Sequence, residues 1–229
     1  HRVHQFVGVA LSAIYLDVVK DRLYTSEQNA PGRRAAQTVL YQLTDALTRW
    51  LAPVLPFTTE ETWQHLRGED TDSVHLATFP ELSDHELAED ERADLAELLA
   101  LREDVLGALE RARESGSIGS GLEARVILRE TAADAGSSVA PHAEWLPELF
   151  IVSQVERLDE TGAMPDELLV DSAEALGGKL EIGIVRAQGQ KCDRCWNWRE
   201  SVSVDEQFEK VLCDRCAGAV AAHRATTDS

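Results

Sequence analysis

With 229 residues the chain is long for one domain and comfortable for two or three, since domains usually run to roughly 100–150 residues. Hydrophobic residues make up 44% and charged residues 28%, which supports a packed core and excludes wholesale disorder. The 22 basic residues face 41 acidic ones, a formal balance of −19, so the surface as a whole cannot wrap nucleic acid. Any contact with phosphate must come from local basic patches. The acid is concentrated in residues 81–110 and 129–177, leaving the first, middle and last parts nearly neutral, and both acidic blocks read as solvated faces. Four cysteines are too few for a disulfide scaffold of this size and enough for one metal site.

The most apolar stretch, Phe6 to Leu16, is interrupted by Ser12 and runs into Asp17, Lys20, Asp21 and Arg22. It is too short to span a bilayer and has no cleavage site, so it predicts a buried helix and no membrane or export segment. The opening at His1, in mid-pattern, is what a fragment of a longer chain would give. Val7, Leu11, Ile14 and Val18 share one face of a helix over Val3 to Leu23. After the Pro31-Gly32 turn, Ala36, Val39, Leu40, Leu43, Leu47, Trp50 and Leu51 line a second helix that stops before Pro53. A third begins near Thr58, with Glu61 at capping-box spacing and Trp63 and Leu66 inward. A fourth begins at Ser83, with Glu86 three residues on, and runs through Leu87, Leu95, Leu98, Val105 and Leu109 until Gly116 ends it. Four such helices with short or moderate connections predict a bundle.

After Gly116 the character changes. Ser117 to Gly121 is a flexible connection, strands are expected at Ala124 to Arg129, Phe150 to Val155 and Leu180 to Val185, and a short helix near His142 to Leu149. The fold class is therefore multidomain and mainly α: a helical bundle at 1–115, a small α+β connector at 116–185, and a zinc ribbon at 186–229.

The strongest chemical signal closes the chain. Cys192-Asp193-Arg194-Cys195 and Cys213-Asp214-Arg215-Cys216 form C-x2-C twice, with seventeen residues between them. Each pair makes a tight knuckle with backbone amides turned toward sulfur, and two knuckles joined by a hairpin supply four soft ligands at tetrahedral corners, which suits one structural zinc ion. Disulfides or free thiols are the competing assignment. The tail's large apolar residues, Trp196, Trp198, Phe208, Val211 and Leu212, are few, and so small a core needs a metal staple. Lys191, Arg194, Arg199, Lys210 and Arg215 surround the knuckles with Trp196 and Trp198 interleaved. Bases and exposed aromatic planes are what unpaired RNA requires, unless the tryptophans cover the metal instead; strand alternation favours one in and one out. Lys20 and Arg22 beside the first helix end, with Arg33 and Arg34 opening the second, form two further basic pairs that would lie at one end of a bundle, Arg33 and Arg34 being the better placed for phosphate.

Several blocks together resemble one family. Leu11 to Tyr24, LSAIYLDVVKDRLY, resembles the segment that opens the anticodon-binding helical domain of isoleucyl-tRNA synthetases. Arg33-Arg34 with Leu40-Tyr41, then Arg49 to Thr58 and Glu60 to Trp63, are similar to its next two helices. Ile118 to Ala124 resembles the segment after it, and Lys191 to Trp196, KCDRCW, the zinc tail of bacterial-type members. The chain departs from the pattern in carrying Gly116 and Ser117 where a lysine usually precedes the Ile-Gly pair. The resemblance implies the C-terminal part of such a synthetase: a cytoplasmic, monomeric protein that binds isoleucine tRNA at its anticodon stem and loop, next to the rest of the enzyme. Lys20, Arg22, Arg33, Arg34, Lys191, Arg194, Trp196 and Arg199 are the expected tRNA contacts, and Cys192, Cys195, Cys213 and Cys216 the zinc ligands.

The H-x-G-H and K-M-S-K-S motifs of the catalytic fold do not occur, so this chain alone is expected to be inactive. No spacing of Ser, His and Asp suggests a triad. Two other readings stay open: a DNA glycosylase with a similar zinc hairpin, and a non-enzymatic protein-interaction module.

Overall fold

In the computed structural model, which describes residues 1–68, 70–81, 87–130, 140–159, 161–165, 173–175, 180–207 and 209–227, the chain divides into two units. Residues 1–27 and 87–229 form one, and residues 28–86 the other. The first unit opens with α1 (Arg2–Gln5), a π-helical segment Phe6–Leu16, and α2 (Lys20–Thr25). The expectation of a buried helix is corrected here, for no residue of Phe6–Leu16 is buried. Val7, Leu11 and Ile14 are half-buried while Phe6 and Val9 are exposed. A π-helix bonds five residues back, and its wider turn spreads a stripe drawn for 3.6 residues per turn.

In the second unit, α3 (Pro31–Leu51) and α4 (Pro56–Arg67) each carry proline in the first turn, where its missing N–H costs nothing. The expected Thr58–Glu61 capping box does not form, because Pro56 starts α4 two residues earlier with Leu55 as its cap. Trp63 turns inward as expected and packs with Ala52, Val74 and Ala77. Its indole N–H donates to Asp72 O at 2.8 Å. The Arg67 and Arg49 guanidinium groups lie 5.0 and 5.3 Å from the Trp63 ring, and both pair with Asp45, so the ring carries cations that are themselves neutralised.

Back in the first unit, the expected helix start at Ser83 and Glu86 lies outside the described residues. Helix α5 (Glu89–Glu114) is capped where the Ala88 amide donates to Glu91 Oε2 at 2.9 Å. It ends at Gly116, whose φ of +74° lets its amide and that of Ser117 reach back to Arg113 O and Ala112 O at 3.0 Å each. Leu98, Leu101, Val105, Ala108, Leu109 and Ala112 are buried, whereas Leu87 and Leu95 are exposed.

That apolar face meets a four-stranded sheet of order β2-β1-β4-β3. Strand β1 (Ala124–Glu130) pairs in parallel with β2 (Gln154–Leu158), and β4 (Leu180–Arg186) runs antiparallel to both β1 and β3 (Ala173–Ala175). Alternate residues Ala124, Val126 and Leu128 of β1, with Leu180, Ile182 and Ile184 of β4, join the α5 face in one core. The short helix α6 (Leu146–Phe150) adds Leu146, Leu149 and Phe150 to it. A strand was expected from Phe150, but the helix includes Phe150 and is capped by Ile151 at φ +58°, so pairing starts only at Gln154. The buried Arg102 of α5 donates from Nε to Leu149 O at 3.1 Å, satisfying a carbonyl at the end of α6.

The tail holds two short antiparallel pairs, β5 (Gln190–Lys191) with β6 (Trp198–Arg199) and β7 (Val202–Asp205) with β8 (Lys210–Cys213). Helix α7 (Asp214–Thr227) follows β8 directly and was not expected from the sequence. Its signal was the alanine-rich run Ala217 to Ala222, a composition of high helix propensity. Phe208, expected in the tail core, lies outside the described residues. Among the described residues no helix is long and apolar enough to cross a membrane. Among the described residues Phe150 is the largest fully buried side chain. Phe150→Ala is expected to destabilise the α5–sheet core by about 3–5 kcal/mol, read from the urea midpoint of the transition.

Candidate metal centre and nucleic-acid interface

The four cysteines are buried, free of disulfides and gathered so that all their Sγ atoms lie within 4.8 Å of one another. Thiolate–metal bonds of about 2.3 Å at tetrahedral corners place sulfurs about 3.8 Å apart. Cys195 Sγ and Cys213 Sγ stand 3.8 Å apart, well beyond the about 2.05 Å of a disulfide. The donor set therefore fits a single metal ion. A hydrogen bond from Cys216 holds the Cys195 thiol well below its ordinary range, and the same bond, with burial, pushes Cys216 up. Such crowded sulfurs ionise together only around a cation, which is the chemistry this cage offers.

The two C-x2-C turns reach the cage by different routes. Cys192 and Cys195 sit in a knuckle closed by Trp196 N–H donating to Cys192 O and Cys192 N–H donating to Asn197 O, both at 2.9 Å. Cys213 ends β8 and Cys216 lies in the first turn of α7, so the second pair is a strand–helix junction where a hairpin knuckle was expected. The Cys213 amide points at Cys192 Sγ at 3.3 Å, the amide-to-sulfur contact that such turns predict.

The intervening Asp and Arg residues have distinct duties. Asp193 ties the knuckle to β8, its carboxylate accepting from Val211 N at 2.9 Å and its own amide donating to Val211 O at 2.8 Å. Asp214 accepts from Ser201 Oγ at 2.6 Å. Both arginines reach the C-terminal end of α2. Arg194 donates to Thr25 O and, at 3.4 Å, to Tyr24 O, and also touches Cys216 Sγ at 3.5 Å. Arg215 donates to Asp21 Oδ1 at 2.9 Å and Thr25 Oγ1 at 3.0 Å. Helix ends leave carbonyls without partners, and here the Arg194 guanidinium supplies donors to two of them. Burial pushes the Asp21 carboxyl up, but hydrogen bonds from Arg215 and Thr25 outweigh it and hold the group below its ordinary value.

The expected RNA contacts fall into separate settings. Arg33 and Arg34 lie in the first turn of α3 in the unit 28–86, Arg34 bonded to Gln37 at 2.9 Å. Lys20 and Arg22 belong to the other unit. Lys20 pairs with Asp17 at 2.7 Å, and Arg22 forms a two-pronged pair with Glu148 of α6. Arg199 donates to Ser153 O at 2.7 Å. Trp196 and Lys191 face solvent: the indole is 61% exposed, and the ammonium lies 5.7 Å from its ring centre. Trp198 is half-buried, which gives one tryptophan out and its neighbour largely in. A cleft of about 670 Å³ runs beside Trp196, lined by Lys20, Arg194, Arg199 and Arg215 as well as Asp17, Asp21 and Glu148. Sequence reasoning missed Asp21, Ser153 and Gln154, because a single polar side chain on a helix, a bend or a strand carries no motif.

The sequence profile of the family described as the anticodon-binding domain of tRNA ligase matches residues 1–128. The chain is 42% identical over 222 residues to the isoleucine–tRNA ligase of Syntrophotalea carbinolica, covering 94% of this chain and 22% of that protein. The isoleucine–tRNA ligases of Geobacter sulfurreducens and Brachyspira hyodysenteriae are 41% and 38% identical over 223 and 219 residues, each covering 96% of this chain and 23% of theirs. The chain thus spans less than a quarter of the length of the curated relatives it matches.

Two substitutions test this architecture. Gly189 has φ +90°, and a Cβ there would sit 2.2 Å from Arg199 O across the β5–β6 pair. Gly189→Ala is expected to cost the tail about 2–4 kcal/mol, seen as a lower melting temperature with the core of α5 and the sheet unchanged. Asp21→Asn removes the charge that Arg215 grips and is expected to lower stability by about 1 kcal/mol in chemical denaturation, the pair being partly exposed.

Proposed function

Because the chain belongs to the family of anticodon-binding domains of tRNA ligases, we propose that it is the C-terminal tRNA-binding part of an isoleucine–tRNA ligase. In this reading it holds the anticodon stem and loop of isoleucine tRNA while a catalytic domain outside this chain carries out ATP-dependent aminoacylation. One combination supports it above all: helices of the anticodon-binding family are joined in one chain to a four-cysteine tail that lifts Trp196 and Lys191 into solvent. The family match leaves the glycosylase-like and protein-interaction readings without support. The helical part, 1–115, meets the stem, the connector 116–185 carries the tail, and the tail 186–229 meets the loop. The protein works as a cytoplasmic monomer with no membrane partner.

Zinc is the ion we assign to Cys192, Cys195, Cys213 and Cys216. A closed thiolate set leaves no open position for a catalytic water, so zinc supplies structure there and no chemistry. Four thiolates around a divalent ion carry excess negative charge, and Arg194, in contact with Cys216 Sγ, offsets it. The indole of Trp196 offers a plane on which a base stacks, and Lys191, Arg33 and Arg34 offer charge to flanking phosphates. Arg22, Arg194 and Arg199 keep part of their guanidinium groups on the protein, and Arg194 and Arg199 line the cleft.

Elemental analysis is expected to find one zinc per chain; its absence, with the fold intact, would remove the assignment. A strong chelator is expected to collapse the tail spectrum and to loosen the end of α2, whose carbonyls lose Arg194. In filter binding, isoleucine tRNA is expected to outcompete bulk tRNA and duplex DNA. Arg33→Ala with Arg34→Ala is expected to make the slope of log K against log salt shallower by about 2 units, one for each phosphate that is no longer neutralised. Trp196→Ala is expected to cost about 1–3 kcal/mol of binding; equal binding of all three nucleic acids by the unaltered chain would sink the proposal.

A further inference from the structure

We propose that Ser153 is a positioning residue for RNA binding, fixing the direction in which the tail presents Trp196. This rests on the reading of Trp196 as an RNA contact.

Ser153 is fully buried just before β2. Its hydroxyl donates to Leu122 O at 2.5 Å and accepts from the Trp198 amide at 2.7 Å. Its carbonyl accepts from Arg199 Nη1 at 2.7 Å. The next residue repeats the stitch, the Gln154 side chain donating to Gln188 O at 3.0 Å and accepting from Gln188 N at 2.9 Å. A hydroxyl gives one donor and two acceptor positions within one small group, so a single serine can join the connector carbonyl to the tail amide with both satisfied. Buried polar links of this kind fix direction, where apolar contact alone would tolerate sliding.

Trp196 stands two residues before the anchored Trp198 amide, at φ +65°. Trp196 is tied to the knuckle by its own amide, so the pin at Trp198 sets how the knuckle, and the ring with it, stands on the connector. The metal cage does not need that pin: its sulfurs are held by the knuckle bonds to Asn197 and by the Asp193–Val211 exchange. The knuckle bonds fix Trp196 within the tail, and Ser153 fixes the tail against the connector, so the cage closes without the serine while the direction of the indole depends on it.

The test uses the whole 229-residue chain, isoleucine tRNA in filter binding, and metal content measured on each variant. Ser153→Ala is expected to weaken binding by about tenfold with metal retained, as the loss of a buried two-way hydrogen bond would give. Ser153→Ala combined with Trp196→Ala is expected to bind no more weakly than Trp196→Ala alone, since the serine acts through the indole. Should Ser153→Ala fold poorly, Gln154→Ala, on a less buried side chain, is expected to shift binding in the same direction by about two- to threefold and to show the same non-additivity. Additive losses in the double variants, wild-type binding by Ser153→Ala, or loss of metal from it would each overturn the proposal while leaving the wider tRNA-binding reading intact. Wild-type binding by Trp196→Ala would instead remove the stacking interaction on which the inference stands.

Discussion

Two arginines inside the paired C-x2-C turns carry the architecture of this protein's larger unit. Arg194 and Arg215 each occupy the third position of a Cys-Asp-Arg-Cys turn, and both end on α2, Arg194 on its last carbonyls and Arg215 on Asp21 and Thr25. A helix end there exposes carbonyls that need donors, and the sulfur cage holds cations that need partners. One set of contacts meets both needs. The N-terminal helical segment is thereby tied to residues almost two hundred positions later in the chain.

The same turns divide labour by chemistry. The aspartates accept from amides and hydroxyls of neighbouring strands and close the tail on itself. The arginines are long enough to leave the tail and grip another element. On the opposite side Ser153 and Gln154 hold the tail to the connector sheet. A tail with so small a core is thus gathered around its four-cysteine cluster within and held by polar ties to two elements without. Between those ties lies the cleft beside Trp196, with guanidinium groups and carboxylates both on its walls.

Much of the site was legible from residue order. The C-x2-C spacing repeated at the tail points to a tetrahedral cage, and the sulfurs are gathered as that spacing implies. Gly116 and Trp63 act where local rules put them, because a left-handed glycine and an indole each have few alternatives, whereas the Pro31-Gly32 pair read as a turn is the first turn of α3 itself. Other positions were beyond such rules. The Thr58–Glu61 spacing matched a cap that Pro56 pre-empted. The apolar spacing of α5 announces a buried face without naming its partner, and that partner is the sheet formed by residues far along the chain.

Sequence by itself determined the gathering of the four cysteines, the helix-rich first half, the strands that alternate toward a core, and the family, since these depend on residue types at short separations. Tertiary structure alone decided which basic residues are spent on the protein: Arg22 on Glu148, Arg194 and Arg215 on α2, Arg199 on Ser153. A guanidinium has the same identity in a sequence whether it meets phosphate or a carbonyl of its own chain. Only the fold, by bringing a partner within hydrogen-bond distance, tells the two apart.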